Sequence, residues 1–332
     1  MTRPRVLAVF AAALAVLAGC GSAAASSGTA PAQDKVDLST VTLRVGDQKG
    51  TGAQALLTAA GLLSGTPYRI TWSSFTSGPP MLQAIGGGSV DIGGVGNAPP
   101  VFAAAAGSKI VAVGALRANP HASAILVPAS STLTSPDQLR GKRIAVAQGS
   151  SAHYHLLTLL QKAGLTIADV KVVNLQPADA LSAFTSGHVD AWDVWSPYIE
   201  QATAQAHARV LVDGTGYGSP YSFTIAARAA VGDPGKAAAI RDYLSRIARA
   251  HLWANAHADA WAAVWARGTG LPVDVMRPAA TDSAATSVPI DDAVITSEQS
   301  VADAFKGAGL IPRAVTFSDF AVRTFNDTAG SG

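Results

Sequence analysis

Four short polar turns concentrate the groups in this chain that could do chemistry. They are Gln48-Lys49-Gly50-Thr51, Thr76-Ser77-Gly78-Pro79-Pro80, Gly96-Asn97-Ala98-Pro99-Pro100 and Gly149-Ser150-Ser151-Ala152-His153. Each follows a stretch with strand character and opens a stretch with helical character. The first N–H groups of a helix lack intrahelical partners and together carry about half a positive charge. Ser150 and Ser151 add hydroxyl donors. One such turn is indistinguishable from an ordinary cap or a proline-led helix start. Several at the carboxyl edge of one sheet, where open α/β folds bind ligands, point to a small anion held by neutral donors. Trp192 and Trp195, followed by Ser196-Pro197-Tyr198, could add an apolar wall.

Other chemistries lack their residues. Gly50-Thr51-Gly52-Ala53-Gln54-Ala55 fits the spacing of a dinucleotide fingerprint. That fingerprint also needs an acid about 20 residues on, at the end of the next strand. Residues 68–73 contain none. There is no P-loop, no G-x-S-x-G and no HExxH. His153 and His155, two apart, diverge on a helix and make no metal pair. Trp253, Trp261 and Trp265 have helical spacing and are expected in the core. Cys20 is the single cysteine, so no disulfide and no cysteine-rich metal site can form. No metal and no cofactor is expected. The chain carries 24 Lys and Arg against 22 Asp and Glu, and Arg3 and Arg5 account for the excess. Such a balance excludes the basic surface that nucleic-acid binding needs.

These turns must be held by a scaffold outside the cytoplasm. Arg3 and Arg5 precede an uncharged, mostly apolar run of about 13 residues, 6–18, which overlaps the small-residue zone Leu17-Ala18-Gly19-Cys20. A run of that length is a secretory signal and too short for a comfortable membrane span. Cys20 sits where the lipobox of a bacterial lipoprotein has its lipidated thiol, so residues 1–19 are expected as signal. Residues 20–38 are expected as a lipidated Cys and flexible tether, since 21–33 are only Gly, Ser, Ala, Thr, Pro and Gln. No transmembrane helix is expected elsewhere.

The remaining chain alternates strands (43–45, 68–73, 90–92, 110–115, 124–127, 143–147, 171–175, 189–194, 209–212, 222–227) with helices. Beyond 233 it reads as mostly helical to 325. That alternation predicts an α/β fold with parallel sheets. One sub-pattern occurs twice. Ala84-Ile85-Gly86-Gly87-Gly88-Ser89-Val90-Asp91-Ile92 and Ala183-Phe184-Thr185-Ser186-Gly187-His188-Val189-Asp190-Ala191 each read as a helix end, a glycine stop and a Val-Asp strand start. Two similar lobes would explain it, as would any two αβ connections.

A set of ordered blocks resembles the aliphatic-sulfonate-binding proteins of bacterial ABC importers, a group that also includes taurine and nitrate binders. The blocks are Leu43-Arg44-Val45-Gly46 with Gln48-Lys49-Gly50, Ser77-Gly78-Pro79-Pro80-Met81-Leu82-Gln83-Ala84, Gly88-Ser89-Val90-Asp91-Ile92-Gly93 and Pro99-Pro100-Val101-Phe102-Ala103. They continue with Gly141-Lys142-Arg143-Ile144-Ala145-Val146, Gln148-Gly149-Ser150-Ser151-Ala152-His153, Pro177-Ala178-Asp179-Ala180 and Val189-Asp190-Ala191-Trp192. The resemblance implies a two-lobed periplasmic-binding-protein fold (type II) with the ligand in the interlobe cleft. Lobe 1 would span 39–123 plus 224–332 and lobe 2 would span 124–223. It implies a monomeric, non-enzymatic lipoprotein that captures a small organosulfonate for sulfur acquisition and delivers it to an ABC permease with a separate ATPase. Alternatives within the same resemblance are a binder of taurine, sulfate ester or nitrate, or a ligand-sensing lipoprotein. A thiamine-pyrimidine-making enzyme shares the broader fold group, but its cysteine-rich iron motif cannot exist with Cys20 alone.

By position, the resemblance nominates Gln48, Gly78, Pro79, Gly96, Asn97, Ser150, Ser151, His153, Trp192, Trp195, Tyr198, Tyr221, Ser222 and Phe223 as ligand-binding residues. Asn97 and Ser196 stand where the family often has Asp, which leaves fewer carboxylates beside an anion. Tyr221 stands where a small Gly is common and is expected to shorten or reshape the cavity.

Overall fold

A computed structural model describes residues 36–48 and 52–330. The expected signal, Cys20 and most of the expected tether lie outside the described residues, as do residues 49–51 of the first polar turn. Regular structure begins inside the stretch expected as tether. Leu38–Thr40 form a 3-10 turn capped by Asp37, which accepts the Ser39 N–H at 2.9 Å.

The first layer is built from β1 (Thr42–Gln48), α1 (Ala53–Ala59), β2 (Arg69–Phe75), α2 (Gly78–Gly86), β3 (Ile92–Val95), α3 (Ala98–Ala105) and β4 (Ile110–Ala118). The chain then crosses to β5 (Ser123–Pro128), β6 (Arg143–Val146), α4 (Ser151–Lys162), β7 (Lys171–Asn174), α5 (Pro177–Thr185), β8 (Ala191–Trp195), α6 (Tyr198–Ala206) and β9 (Ala208–Asp213). It returns as β10 (Tyr221–Ala227), α7 (Arg228–Gly232), α8 (Pro234–Ala256), α9 (Ala258–Thr269), α10 (Val273–Asp282), β11 (Ala285–Val288) and α11 (Asp292–Gly307). The expected boundary at 223/224 falls inside β10, and the crossings lie just before β5 and β10.

Sequence pattern explains the layering. In β5, Ile125 and Val127 pack with Leu156, Leu159 and Leu160 of α4, while Ala124 and Leu126 pack with Phe184 and Ile199 on the opposite face. All four β5 residues are 1% exposed or less, as period-two side chains in a sheet covered on both faces must be. Pro79 and Pro80 lead α2, and Pro99 and Pro100 lead α3, where a missing N–H costs nothing.

The two sheets share one plan. In the first, β2, β1 and β3 run parallel, β10 pairs antiparallel with both β3 and β4, and β11 pairs antiparallel with β4. In the second, β7, β6 and β8 run parallel, and β5 pairs antiparallel with both β8 and β9. The sheets are therefore mixed, where the alternation predicted parallel ones. A parallel neighbour needs a long crossover, usually a helix. β5 and β10 instead arrive through short interlayer crossings and enter antiparallel. The C-terminal region is mostly helical only as far as Gly307: β11 extends the first sheet, and among the described residues no α-helix follows Gly307.

The repeated sub-pattern marks equivalent places. Gly88 and Gly187 have φ of 76° and 72°, which stops each helix. The Asp that follows clamps the middle strand of the parallel trio in its sheet. Asp91 accepts from Arg44 N, Nε and Nη2 at 2.9, 3.0 and 2.6 Å. Asp190 accepts from Arg143 N, Nε and Nη2 at 2.7, 3.2 and 2.8 Å. Lys236 of α8 adds a second cation to Asp91 at 2.7 Å.

Candidate functional site

A cavity of about 250 Å³ lies where the two layers meet. The starts of α2, α3 and α4 border it through Gly78, Gly96 with Asn97, and Ser150 with Ser151. Gln48 at the end of β1 joins them, its amide donating to Gly94 O at 3.1 Å. Ser150 accepts the His153 N–H at 3.3 Å, which leaves its hydroxyl proton free to donate. Asn97 is 4% exposed and its carbonyl accepts the Ala98 N–H at 2.9 Å, so its amide N–H groups remain available as donors. A Cβ on Gly96 would collide with the Ser151 side chain, so only glycine allows this approach of first layer to second.

The other end of the cavity is aromatic. Trp195, Tyr217, Tyr221 and Trp265 line it, with Asn119, Ser123, Ser196, Ser222 and Ser283 between them. The Tyr221 hydroxyl accepts from Arg117 Nη2 at 2.9 Å, which draws the ring toward β4. Among the described residues no Lys, Arg, Asp or Glu lines the cavity. Its one titratable cation is His155, whose Nδ1 lies 3.0 Å from both oxygens of buried Asp193 and whose Nε2 lies 3.3 Å from Asp213 O. Burial opposes the imidazolium, but Asp193 and the Asp213 carbonyl outweigh it and hold the proton above the ordinary histidine range.

Several expected residues lie elsewhere. Trp192 is 1% exposed and packs against Phe184 and Tyr198, on the opposite side of β8 from the cavity-lining role expected of it. Residues three apart on a strand point to opposite faces, so Trp192 and Trp195 cannot form one wall. Tyr198 stands behind Trp195, ring centroids 6.0 Å apart, and buttresses it. Pro79 borders an outer groove with Gln176 and Phe102. His153 is 2% exposed, accepts the Gly149 N–H through Nδ1 at 3.2 Å, and is pushed down to about 4 by burial. It is thus a neutral strut that fixes the serine turn. Phe223 borders a second chamber.

That second chamber, of about 280 Å³, shares Gln48, Gly96, Trp195 and Ser222 with the first. Its far wall holds Asp47, Thr224, Tyr243 and His251 among Leu56, Leu116, Phe223 and Ile247. Sequence reasoning missed these polar groups, together with Tyr154, His155, Tyr217 and Trp265. Trp265, expected in the core, is buried yet forms cavity wall, and its indole N–H has no partner among the described residues. Long-range packing of α8 brings in Tyr243 and His251, and that of α9 brings in Trp265, and helical spacing carries no trace of it.

The layers also touch beside the cavity. Gln176 Oε1 accepts from Thr76 Oγ1 and Ser77 Oγ at 3.1 and 2.7 Å. Phe305 of α11 packs against His153 and Tyr154 of α4, centroids 5.4 and 5.8 Å apart.

Comparison with known proteins identifies the family and the fold. A family described as NMT1/THI5 like matches residues 77–259. A protein of Escherichia coli (strain K12) named for binding aliphatic sulfonates is 37% identical over 276 residues, 82% of this chain and 86% of its own. The alkanesulfonate-binding protein SsuA from Xanthomonas axonopodis pv. citri, solved bound to MOPS, superposes with a TM-score of 0.78 at 33% identity, covering 85% of this chain and 98% of that one. The periplasmic aliphatic sulphonate binding protein SsuA from Escherichia coli gives 0.74 at 36% identity, covering 84% and 91%. With a family match over more than half of its length and a relative this similar over most of it, the chain belongs to the NMT1/THI5-like family, in its branch of aliphatic-sulfonate-binding proteins.

Proposed function

We propose that this protein is the extracytoplasmic solute-binding component of an ABC importer, a non-catalytic trap that captures an organosulfonate between two lobes and hands it to a membrane permease. One observation supports it above the rest. Three helix starts and two serines line a cavity that, among the described residues, no carboxylate, lysine or arginine lines, and that aromatic rings also border. A sulfonate spreads one charge over three oxygens and stays ionised at physiological pH, so neutral donors suffice to hold it. Trp195, Tyr221 and Trp265 would cover its organic tail, at about 25 cal/mol per Å² of apolar area buried. Hinge closure around ligand is documented for periplasmic binding proteins, and the crossings before β5 and β10 would be the hinge. A lipid on Cys20 would tether the protein to the outer face of the cytoplasmic membrane.

Calorimetry with MOPS, an alkanesulfonate series, taurine, sulfate and nitrate tests the ligand class. Organosulfonates are expected to bind, and sulfate and nitrate, which lack a tail, to bind poorly. Replacing Ser150 and Ser151 together by Ala should cost about 1–3 kcal/mol of binding through the lost hydroxyl bonds. Trp195→Ala should cost a similar ~1–3 kcal/mol for tailed ligands only. If sulfate binds more tightly than every organosulfonate, the protein is an inorganic-anion binder. The anchor has its own test: Cys20→Ser should leave the membrane fraction, and a variant that is processed and retained as before would remove the lipid from this scheme.

A further inference from the structure

The second chamber has the composition of a receptor for the far end of the ligand. It adjoins the first, sharing Gln48, Gly96, Trp195 and Ser222 as wall. Its sides are apolar (Leu56, Leu116, Phe223, Ile247), as a passage for a hydrocarbon chain would be. Its end wall is polar and under-used. The Tyr243 hydroxyl, the Thr224 hydroxyl and the His251 imidazole have no hydrogen-bond partner among the described residues, although Tyr243 and Thr224 are 2% and 6% exposed. Buried polar groups are normally paired, so unpaired ones clustered around an open chamber mark a place for a guest. Among the described residues Asp47 supplies the only charge in the wall. Its carboxylate receives the Gln54 N–H at 3.3 Å and the N–H groups of Ala53 and Gln48, but no side-chain cation among the described residues. Arg267 borders an outer groove together with Asp47 but forms no ion pair with it.

The geometry points to a ligand with two polar ends: a sulfonate held at the starts of α2, α3 and α4, and a protonated amine at the other end of its chain, selected by Asp47 in the second chamber. This inference deepens the sulfonate assignment and rests on it. The donor–acceptor pattern fits an ammonium group. Asp47 accepts as an anion, and Tyr243 and Thr224 accept through hydroxyl oxygens. His251, kept neutral by burial, accepts through a ring nitrogen. A methyl terminus would leave all four unpaired and bury Asp47 against hydrocarbon, which is where such a site gains its discrimination. Trp195 at the junction would then cover the middle of the chain.

The test compares pairs of equal length by calorimetry at neutral pH: butanesulfonate with 4-aminobutanesulfonate, and hexanesulfonate with 6-aminohexanesulfonate. The parent protein should prefer the amino member of at least one pair by about tenfold or more, the size of one charge-assisted hydrogen bond. Asp47→Asn keeps an oxygen for the start of α1 while removing the charge. It should abolish the preference by weakening the amino members, while butanesulfonate and hexanesulfonate bind at least as tightly as to the parent, because the charge they would bury is gone. Tyr243→Phe, which keeps the buried ring, should reduce the preference by several-fold and supplies the answer if Asp47→Asn fails to fold. Equal binding of both members by the parent, or a preference unchanged in Asp47→Asn, overturns the inference while leaving the sulfonate assignment standing. Failure of every sulfonate to bind, with sulfate or nitrate binding instead, overturns the assignment itself.

Discussion

At the scale of single residues, the paired Asp clamps are the clearest case of sequence chemistry fixing position. Asp91 is 1% exposed, and burial alone would push its carboxyl up. Arg44 and Lys236 outweigh burial and hold it below the usual carboxylate range. A carboxyl lowered in the folded state stabilises at pH above its unfolded value, about 3.9, and that stability is lost as pH falls through the folded value. Asp91→Asn should therefore lose about 3 kcal/mol of unfolding free energy at neutral pH, the low end for breaking a buried pair. The variant should also lose part of the parent's acid sensitivity, read from urea midpoints between neutral pH and pH 3. Asp190, half-buried and paired with Arg143 alone, should give a smaller loss in the same experiment. His155 has the opposite sign. Its stabilising contribution is present below the unfolded histidine value of about 6.5 and fades as pH rises through the raised folded value.

At the scale of elements, what matters is how closely the start of α3 approaches the start of α4. Gly96→Ala would drive a methyl into Ser151. It should weaken ligand binding by at least tenfold while leaving the folded spectrum intact, as calorimetry and circular dichroism would show together. Much of this arrangement was legible in the sequence. Proline pairs at 79–80 and 99–100, the Ser150 cap and the glycine stops at 88 and 187 are local signals, and local signals set where helices begin and end. Direction and neighbourhood were not legible. Nothing within β10 says that it runs antiparallel between β3 and β4, because that follows from where the chain re-enters the sheet. The Trp192–Trp195 pair divides for a related reason: three apart on β8, one indole enters the core and the other the cavity wall, and the sequence does not say which. The polar wall of the second chamber was invisible because α8 delivers Tyr243 and His251 from about 200 residues beyond Asp47.

At the scale of the whole molecule, closure would link ligand to stability and shape. Ligand at about 100 times Kd adds about 2.7 kcal/mol to unfolding. A sulfonate that closes the cleft should raise Tm by several degrees and reduce the radius of gyration in X-ray scattering. An unchanged scattering curve with a raised Tm would mean that binding occurs without closure. The nesting of the sheets has a further consequence, for the history of the chain as it is made. All strands of the second sheet lie in one unbroken run from Ser123 to Asp213. That sheet is complete as soon as the run has emerged, and its contacts are local in the sense that speeds folding. The first sheet is different. β3 and β4 never pair with each other; both wait for β10, and β4 has no other strand partner until β11. Until residue 227 is available, two apolar strands present open edges, the kind that join neighbouring chains into aggregates. A protein bound for export needs its chain kept open until translocation. The late arrival of β10 delays assembly of the first sheet, and the outer edge of β4 stays open until β11 follows, so the chain keeps unpaired edges until nearly all of it has been made.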